Sequence, residues 1–167
     1  MQHPYRYLIA FGSNMGNRIK NLKEGLLLCQ ENLLLLATSQ WKITQPLVHP
    51  DYDVSKHEYY VNFVADVSSE LSPQNFHRLT QGIEKTIGHS SKRKWLPRRL
   101  DIDIVLSAKN CHRDFSLCPA IQVKVPNLTI PHPAYPKRDF LREMIEGDLG
   151  VETKKHFKKE RLQSAES

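Results

Sequence analysis

The stretch Leu96–Leu106, LPRRLDIDIVL, constrains the fold more than any other part of the chain. Aliphatic residues alternate there with acids, and a period of two belongs to a half-buried strand. Leu100, Ile102, Ile104 and Leu106 then share the core face, and Asp101 and Asp103 share the other. Residues two apart on one strand face lie about 7 Å apart, where two unit charges repel by about 2 kcal/mol at an effective dielectric of about 20. Positive charge must therefore approach these acids. Two hard cations about 3.5 to 4 Å apart, bridged by carboxylate and phosphate oxygens, would supply it. Surface arginines would supply it too, and Arg98 and Arg99 stand directly before the strand. Lys92, Arg93, Lys94 and Arg98 crowd the preceding segment, and so many cations suit a triphosphate better than a solvated strand.

The remaining elements fall into place around that strand. YRYLIAFGS predicts a strand that stops at Gly12, and Asn17 caps a helix whose apolar stripe is Ile19, Leu22, Leu26 and Cys29, weakened slightly by Gly25. Residues 33–43 read as a strand, and TQPLVHPDYDVSKHEYY as a long loop, of a length that often carries function. YYVNFVADV is strand-like. Ser72 and Pro73 then open a helix buried through Phe76, Leu79, Ile83 and Ile87 and ended by Gly88, with Gln81 and Glu84 together on another face. The C-terminal part, VKVPNLTIPHPAYPKRDFLREMI, reads as strand, proline-rich turn and amphipathic helix. This order predicts an α/β (α+β) fold of split βαβ type, a mainly antiparallel sheet flanked by helices in a single domain.

A length of 167 residues suits one domain, expected over residues 1–150, with 151–167 as a basic tail that includes KKHFKKER. A net charge of +6 and a pI near 9.3 point to an anionic partner: nucleic acid, an acidic membrane or a polyphosphate. Without the tail the domain is only mildly basic. Cys29, Cys111 and Cys118 are an odd number without a CxxC pair, which argues against a disulfide framework and a structural zinc site. No apolar run approaches the ~20 residues of a membrane span, and the N-terminus has no secretory pattern, so a cytoplasmic location is expected.

Three further features carry chemistry. Trp95 stands among cations, where an indole covers a planar ring or fills a gap beneath the loop. Tyr60 and Asn62 put an aromatic face beside an amide that donates and accepts, a combination that suits a nitrogen heterocycle; an amide satisfied by backbone is the plainer reading. In LTIPHP, prolines on both sides restrain His132, which reads either as a phosphate-facing imidazole or as a surface turn residue.

Four segments, FGSNMGNRIKNL (11–22), YYVNFV (59–64), WLPRRLDIDIVL (95–106) and LTIPHP (128–133), resemble in order and spacing the hydroxymethyl-dihydropterin pyrophosphokinase family of folate biosynthesis, and the resemblance runs from residue 5 to about 146. It implies a ferredoxin-like fold and transfer of pyrophosphate from ATP to the hydroxymethyl oxygen of a reduced pterin, releasing AMP. It further implies that Asp101 and Asp103 hold two Mg²⁺ ions, with Arg98 beside them in the catalytic set. Thr44, Leu47, Tyr60, Asn62 and Phe140 would line the pterin pocket, and Gln81, Glu84, Trp95, Ile104, Thr129, His132 and Arg138 would surround ATP. The partners it implies are therefore small molecules, with no nucleic acid and no membrane.

The chain departs from the family pattern in the loop after Gly88, where His89 and Ser91 replace two arginines and Leu96 replaces a glycine, and its loop between Thr44 and Tyr60 is long. Phosphoryl transfer depends on positioned cations, so these departures raise a second reading, a pterin- or nucleotide-binding paralogue with weak or no catalysis. A third reading is a basic nucleic-acid module built on KRKWLPRR, which two adjacent acids disfavour.

Overall fold

The computed structural model describes residues 3–46, 50–51, 53, 57–88 and 96–158. Strand β1 (Tyr5–Ser13) leads through Gly16, at positive φ, into helix α1 (Arg18–Cys29), whose Asn17 cap accepts from the Lys20 amide at 3.1 Å. Strands β2 (Leu34–Thr38) and β3 (Lys42–Thr44) follow, then β4 (Tyr60–Ser69) and α2 (Pro73–Ile87). Gly88 ends α2 in the left-handed region at φ 119°. The acid-bearing strand is β5 (Asp101–Lys109). Short strands β6 (Ala120–Ile121), β7 (Val123–Val125) and β8 (Leu128–Ile130) precede α3 (Asp139–Arg142), which runs on into a π-helical turn, Glu143–Asp148.

The main sheet has the order β2-β4-β1-β5-β6 with every pairing antiparallel, and β3 continues the β2 edge of β4. Hence β1-α1-β2 and β4-α2-β5 each join two parallel strands across one intervening strand. These two split βαβ units make the ferredoxin-like arrangement, with α1 and α2 side by side on one face.

Alternation assigns each face its role. Tyr7, Ile9 and Phe11 of β1, Phe63 and Val67 of β4, and Ile102 and Ile104 of β5 pack against Leu22, Cys29, Phe76 and Ile83 of the helices. Phe11 stacks on Phe63 at 4.7 Å, and Tyr7 on Phe76 at 4.4 Å. The opposite face buries Leu8, Val64, Val105 and Leu106 beneath Phe115, Tyr135, Leu141, Met144 and Ile145. On this second face the buried Arg6 guanidinium grips both Asp66 oxygens (2.6 and 2.8 Å) and two main-chain carbonyls, of His112 and Arg113 (both 3.0 Å), which ties the loop after β5 to the sheet. The C-terminal half covers only part of this face, and the part around Gly12 stays open.

Several sequence expectations need correction. Leu106 does not share the face of Ile102 and Ile104, because the register between β1 and β5 shifts between Leu8 and Ile9; the bulge sends Leu106 to the second core. Ile19 is 48% exposed, so the buried side of α1 is Leu22, Gly25 and Cys29. Residues 33–43 form two short strands, split where Ser39 turns in to bond β4 through its own amide (2.8 Å) and its hydroxyl (2.9 Å). The C-terminal segment is docked rather than solvated as far as Lys158: Val151, Thr153 and His156 are buried, and Gln122 donates to the carbonyls of His156 and Lys158 at 2.7 and 2.9 Å. No helix among the described residues is long and apolar enough to cross a membrane.

Candidate active site

Register alone gathers the site on the open face. Gly12 of β1 pairs with Asn62 on one side and Asp101 on the other, Ala10 faces Asp103, and Tyr60 pairs with Thr44. All these side chains therefore stand on one surface. Gly12 makes the concavity: a Cβ there would lie 3.0 Å from Asn62 Oδ1 and 3.3 Å from the Tyr60 ring. The resulting cavity, about 430 Å³, is walled by Tyr60, Asn62 and Thr44 at one side, Asp101 and Asp103 at the other, and Arg138 and Phe140 from the C-terminal half.

The acids are met by three nitrogen-bearing groups. Arg98 Nη1 donates to Asp101 Oδ1 at 3.0 Å. The Asp103 oxygens have His132 Nε2 at 3.6 Å and Arg138 Nη1 at 3.9 Å. The local chain explains each placement. Asn14 holds the Arg98 main chain twice, its N–H donating to the Arg98 carbonyl (3.0 Å) and its Oδ1 accepting from the Arg98 amide (2.7 Å). His132 is fixed by its amide, which donates to the Val105 carbonyl at 2.9 Å, and by Nδ1, which accepts from the Ala134 amide at 3.1 Å. That bond leaves the neutral ring's proton on Nε2, pointing at Asp103.

Electrostatics match this crowding. Desolvation and the neighbouring Asp101 raise the Asp103 carboxyl above its usual range, opposed by Arg138 and Arg98. Glu84 of α2 is pushed up to about 8, chiefly by desolvation and then by Asp101, although it accepts from the Ile102 amide at 3.1 Å. Desolvation and Arg138 lower His132, which keeps it neutral. Among the described residues, no three His, Cys, Asp or Glu side chains converge as a metal cage. The two carboxylates are what a divalent ion would find here, with room for further ligands that the protein does not supply. Mg²⁺ is commonly bound in this way, by one or two carboxylates plus phosphate oxygens and water.

Of the residues singled out in the sequence, the cavity gathers Thr44, Tyr60, Asn62, Arg98, Asp101, Asp103, His132, Arg138 and Phe140. Gln81 and Thr129 are exposed and stand outside it; Glu84 lies behind β5; and the Ile104 side chain is buried in the helix-side core, on the opposite face. Leu47, His89, Ser91 and Trp95 lie outside the described residues. Sequence reasoning missed Asn14, Gln45 and His57, which also line the cavity. Asn14 had a signal in its place directly after the strand-ending Gly-Ser, whereas Gln45 and His57 had none.

Comparison with known proteins agrees with this geometry. Residues 8–146 match the model of the family described as 7,8-dihydro-6-hydroxymethylpterin-pyrophosphokinase (HPPK). The chain is 32% identical to the 2-amino-4-hydroxy-6-hydroxymethyldihydropteridine pyrophosphokinase of Porphyromonas gingivalis over 138 residues, 80% of this chain and 84% of that one. It is 31% identical to the Haemophilus influenzae protein of the same name, over 80% of this chain and 74% of that one. The fold resembles a crystal structure of an HPPK-DHPS in complex with substrates, with a TM-score of 0.54 and 11% identity, over 86% of this chain and 40% of that longer one.

Proposed function

The chain belongs to the 7,8-dihydro-6-hydroxymethylpterin-pyrophosphokinase family, and from that premise we propose that the cavity over Gly12 is its active site. The reaction transfers pyrophosphate from ATP to the hydroxymethyl group of 6-hydroxymethyl-7,8-dihydropterin and releases AMP. The hydroxymethyl oxygen bonds to the β-phosphorus, the bond from that phosphorus to the α,β-bridging oxygen breaks, and the hydroxyl loses its proton. One observation carries the assignment: a carboxylate pair faced by Arg98, Arg138 and His132 shares one concavity with the Tyr60–Asn62–Thr44 wall.

The two halves suit the two substrates. Asn62 donates its amide hydrogens to Thr44 Oγ1 (2.8 Å) and the Lys42 carbonyl (3.5 Å), so its Oδ1 is turned over Gly12 as an acceptor for the N–H groups of a pterin edge. Tyr60 and Phe140 offer ring faces to the heterocycle, and the family resemblance alone adds Leu47 to that set. Arg98 and Arg138 hold phosphate oxygens, and neutral His132 donates from Nε2. The two acids fit two Mg²⁺ ions, which when bound neutralise the polyphosphate. Gln81, Glu84, Thr129 and the main chain of Ile104 are left to the nucleoside end of ATP, to which the family resemblance alone adds Trp95. Such a reaction belongs in the cytoplasm, where ATP and reduced pterin are available, and the residues that perform it lie within 1–150.

The test is AMP release from ATP, Mg²⁺ and 6-hydroxymethyl-7,8-dihydropterin, with Asp101→Ala lowering turnover by about 10³-fold or more. Tight calorimetric binding of both substrates without AMP would favour the non-catalytic paralogue that His89 and Ser91 suggest. Failure to bind either substrate would sink the assignment.

A further inference from the structure

β1 and β4 run paired from Tyr5 opposite Ser69 to Ser13 opposite Val61. At the next residue the ladder ends, because Asn14 turns its main chain to Arg98. The carbonyl of Tyr59, just before β4, therefore has no partner from β1. Arg18 fills that place: its Nη1 donates to the Tyr59 carbonyl at 2.6 Å, and its Nε lies 3.9 Å from Glu58 Oε2. Tyr59 is held again from the β3 side, where its hydroxyl accepts from Gln45 Nε2 at 3.3 Å. The residue that follows is Tyr60, whose ring forms a wall of the cavity.

Arg18 stands where helix physics disfavours it. It is the first residue of α1, at the positive end of the helix dipole, in a first turn that carries no acid. A cation kept against that local preference and aimed at one main-chain carbonyl marks a place where the element gives way to the site.

We propose that Arg18 is a positioning residue for the heterocycle half of the site: by closing the broken ladder at Tyr59 it fixes the Tyr60 ring and, through the paired strands, the Asn62 acceptor. The proposal rests on reading the cavity as the pterin site. Arg18 is not among the residues that line the cavity, and the phosphate half is held by a separate set of bonds from Asn14 and Ala134, so the effect is confined to the pterin.

In steady-state assays, Arg18→Met keeps side-chain length and removes every donor. Its KM for 6-hydroxymethyl-7,8-dihydropterin is expected to rise about tenfold, the lower end for a charge-assisted hydrogen bond, with KM for ATP unchanged. Arg18→Lys, which restores a charged donor group, should recover most of the loss. Tyr59→Phe, which cuts only the Gln45 tie, should raise the same KM by about threefold. A pterin KM that stays at the wild-type value in Arg18→Met, or equal weakening of both substrates, would overturn the proposal; if that variant does not fold, Arg18→Gln, which removes the charge and shortens the reach toward the Tyr59 carbonyl, decides by the same criteria. Wild-type turnover separates the two levels. Wild type that makes AMP while the variants keep their pterin KM sinks the role of Arg18 alone. Wild type that makes no AMP sinks catalysis, and calorimetry with the pterin alone then decides Arg18; absence of pterin binding to wild type sinks both.

Discussion

At the scale of single residues, the proposed function sets opposing demands on Asp103. Its carboxyl is raised by desolvation and by Asp101. A group whose folded pKa lies above its unfolded value penalises the folded state wherever the unfolded chain is ionised, so the penalty is absent below about pH 4 and grows as pH rises. In EDTA, Asp103→Asn is therefore expected to stabilise the protein by about 1 to 2 kcal/mol at pH 8 and not at pH 4, while turnover with Mg²⁺ falls by about 10³-fold. Urea melts at the two pH values and the AMP assay check both halves, and equal stability at pH 8 would contradict this electrostatic account. The two acids were legible from alternation alone, because a period of two leaves little choice of face. Their neighbours were not. Arg98 reached Asp101 as the plainer surface reading had it, yet inside a cavity; the resemblance named Arg138 and His132, some thirty residues downstream, but only the fold shows them at Asp103.

At the scale of elements, both long helices were readable, because caps and a stripe at helical spacing are local signals. What failed depended on partners. The bulge in β5 and the split of residues 33–43 are settled by β1 and β4, on which the local residues are silent. Gly25 illustrates the difference. Its sequence context marks only a weak point in α1, whereas in the fold a Cβ there would lie 2.7 Å from Leu100 Cδ2, and Leu100 is fully buried beside Asp101. Gly25→Ala is accordingly expected to cost about 1 to 3 kcal/mol through overpacking, against the usual helix preference for alanine. Gly82, exposed in α2 with nothing within 4 Å of the point a Cβ would occupy, should behave in the opposite way. Gly82→Ala is expected to gain about 0.5 to 1 kcal/mol. Thermal melts that shifted the same way for both would show that propensity rather than packing governs α1.

At the scale of the whole molecule, the order of strands and helices was enough to predict a split βαβ arrangement around a mainly antiparallel sheet, since antiparallel neighbours and right-handed crossovers leave few alternatives. The covering of the second face was hidden, because a run of lysines conceals the buried spacing of Val151, Thr153 and His156. His156 makes that docking sensitive to acid. Its ring is fully buried against Phe115, both ring nitrogens lack hydrogen-bond partners among the described residues, and burial together with the adjacent Lys155 lowers its pKa to about 4. A folded pKa below the unfolded 6.5 gives stability that is complete above pH 6.5 and is lost as pH falls toward 4. The difference between those values corresponds to a loss of about 3 kcal/mol. His156→Leu removes the titration without breaking any hydrogen bond, so it should match or exceed wild-type stability at pH 8 and surpass it progressively between pH 6.5 and 4. Denaturant melts across that range measure the divergence. A variant that followed the wild type throughout would mean that the segment's anchorage does not depend on a neutral imidazole, leaving Gln122 and Lys155, which bond main-chain carbonyls at either side, to hold it.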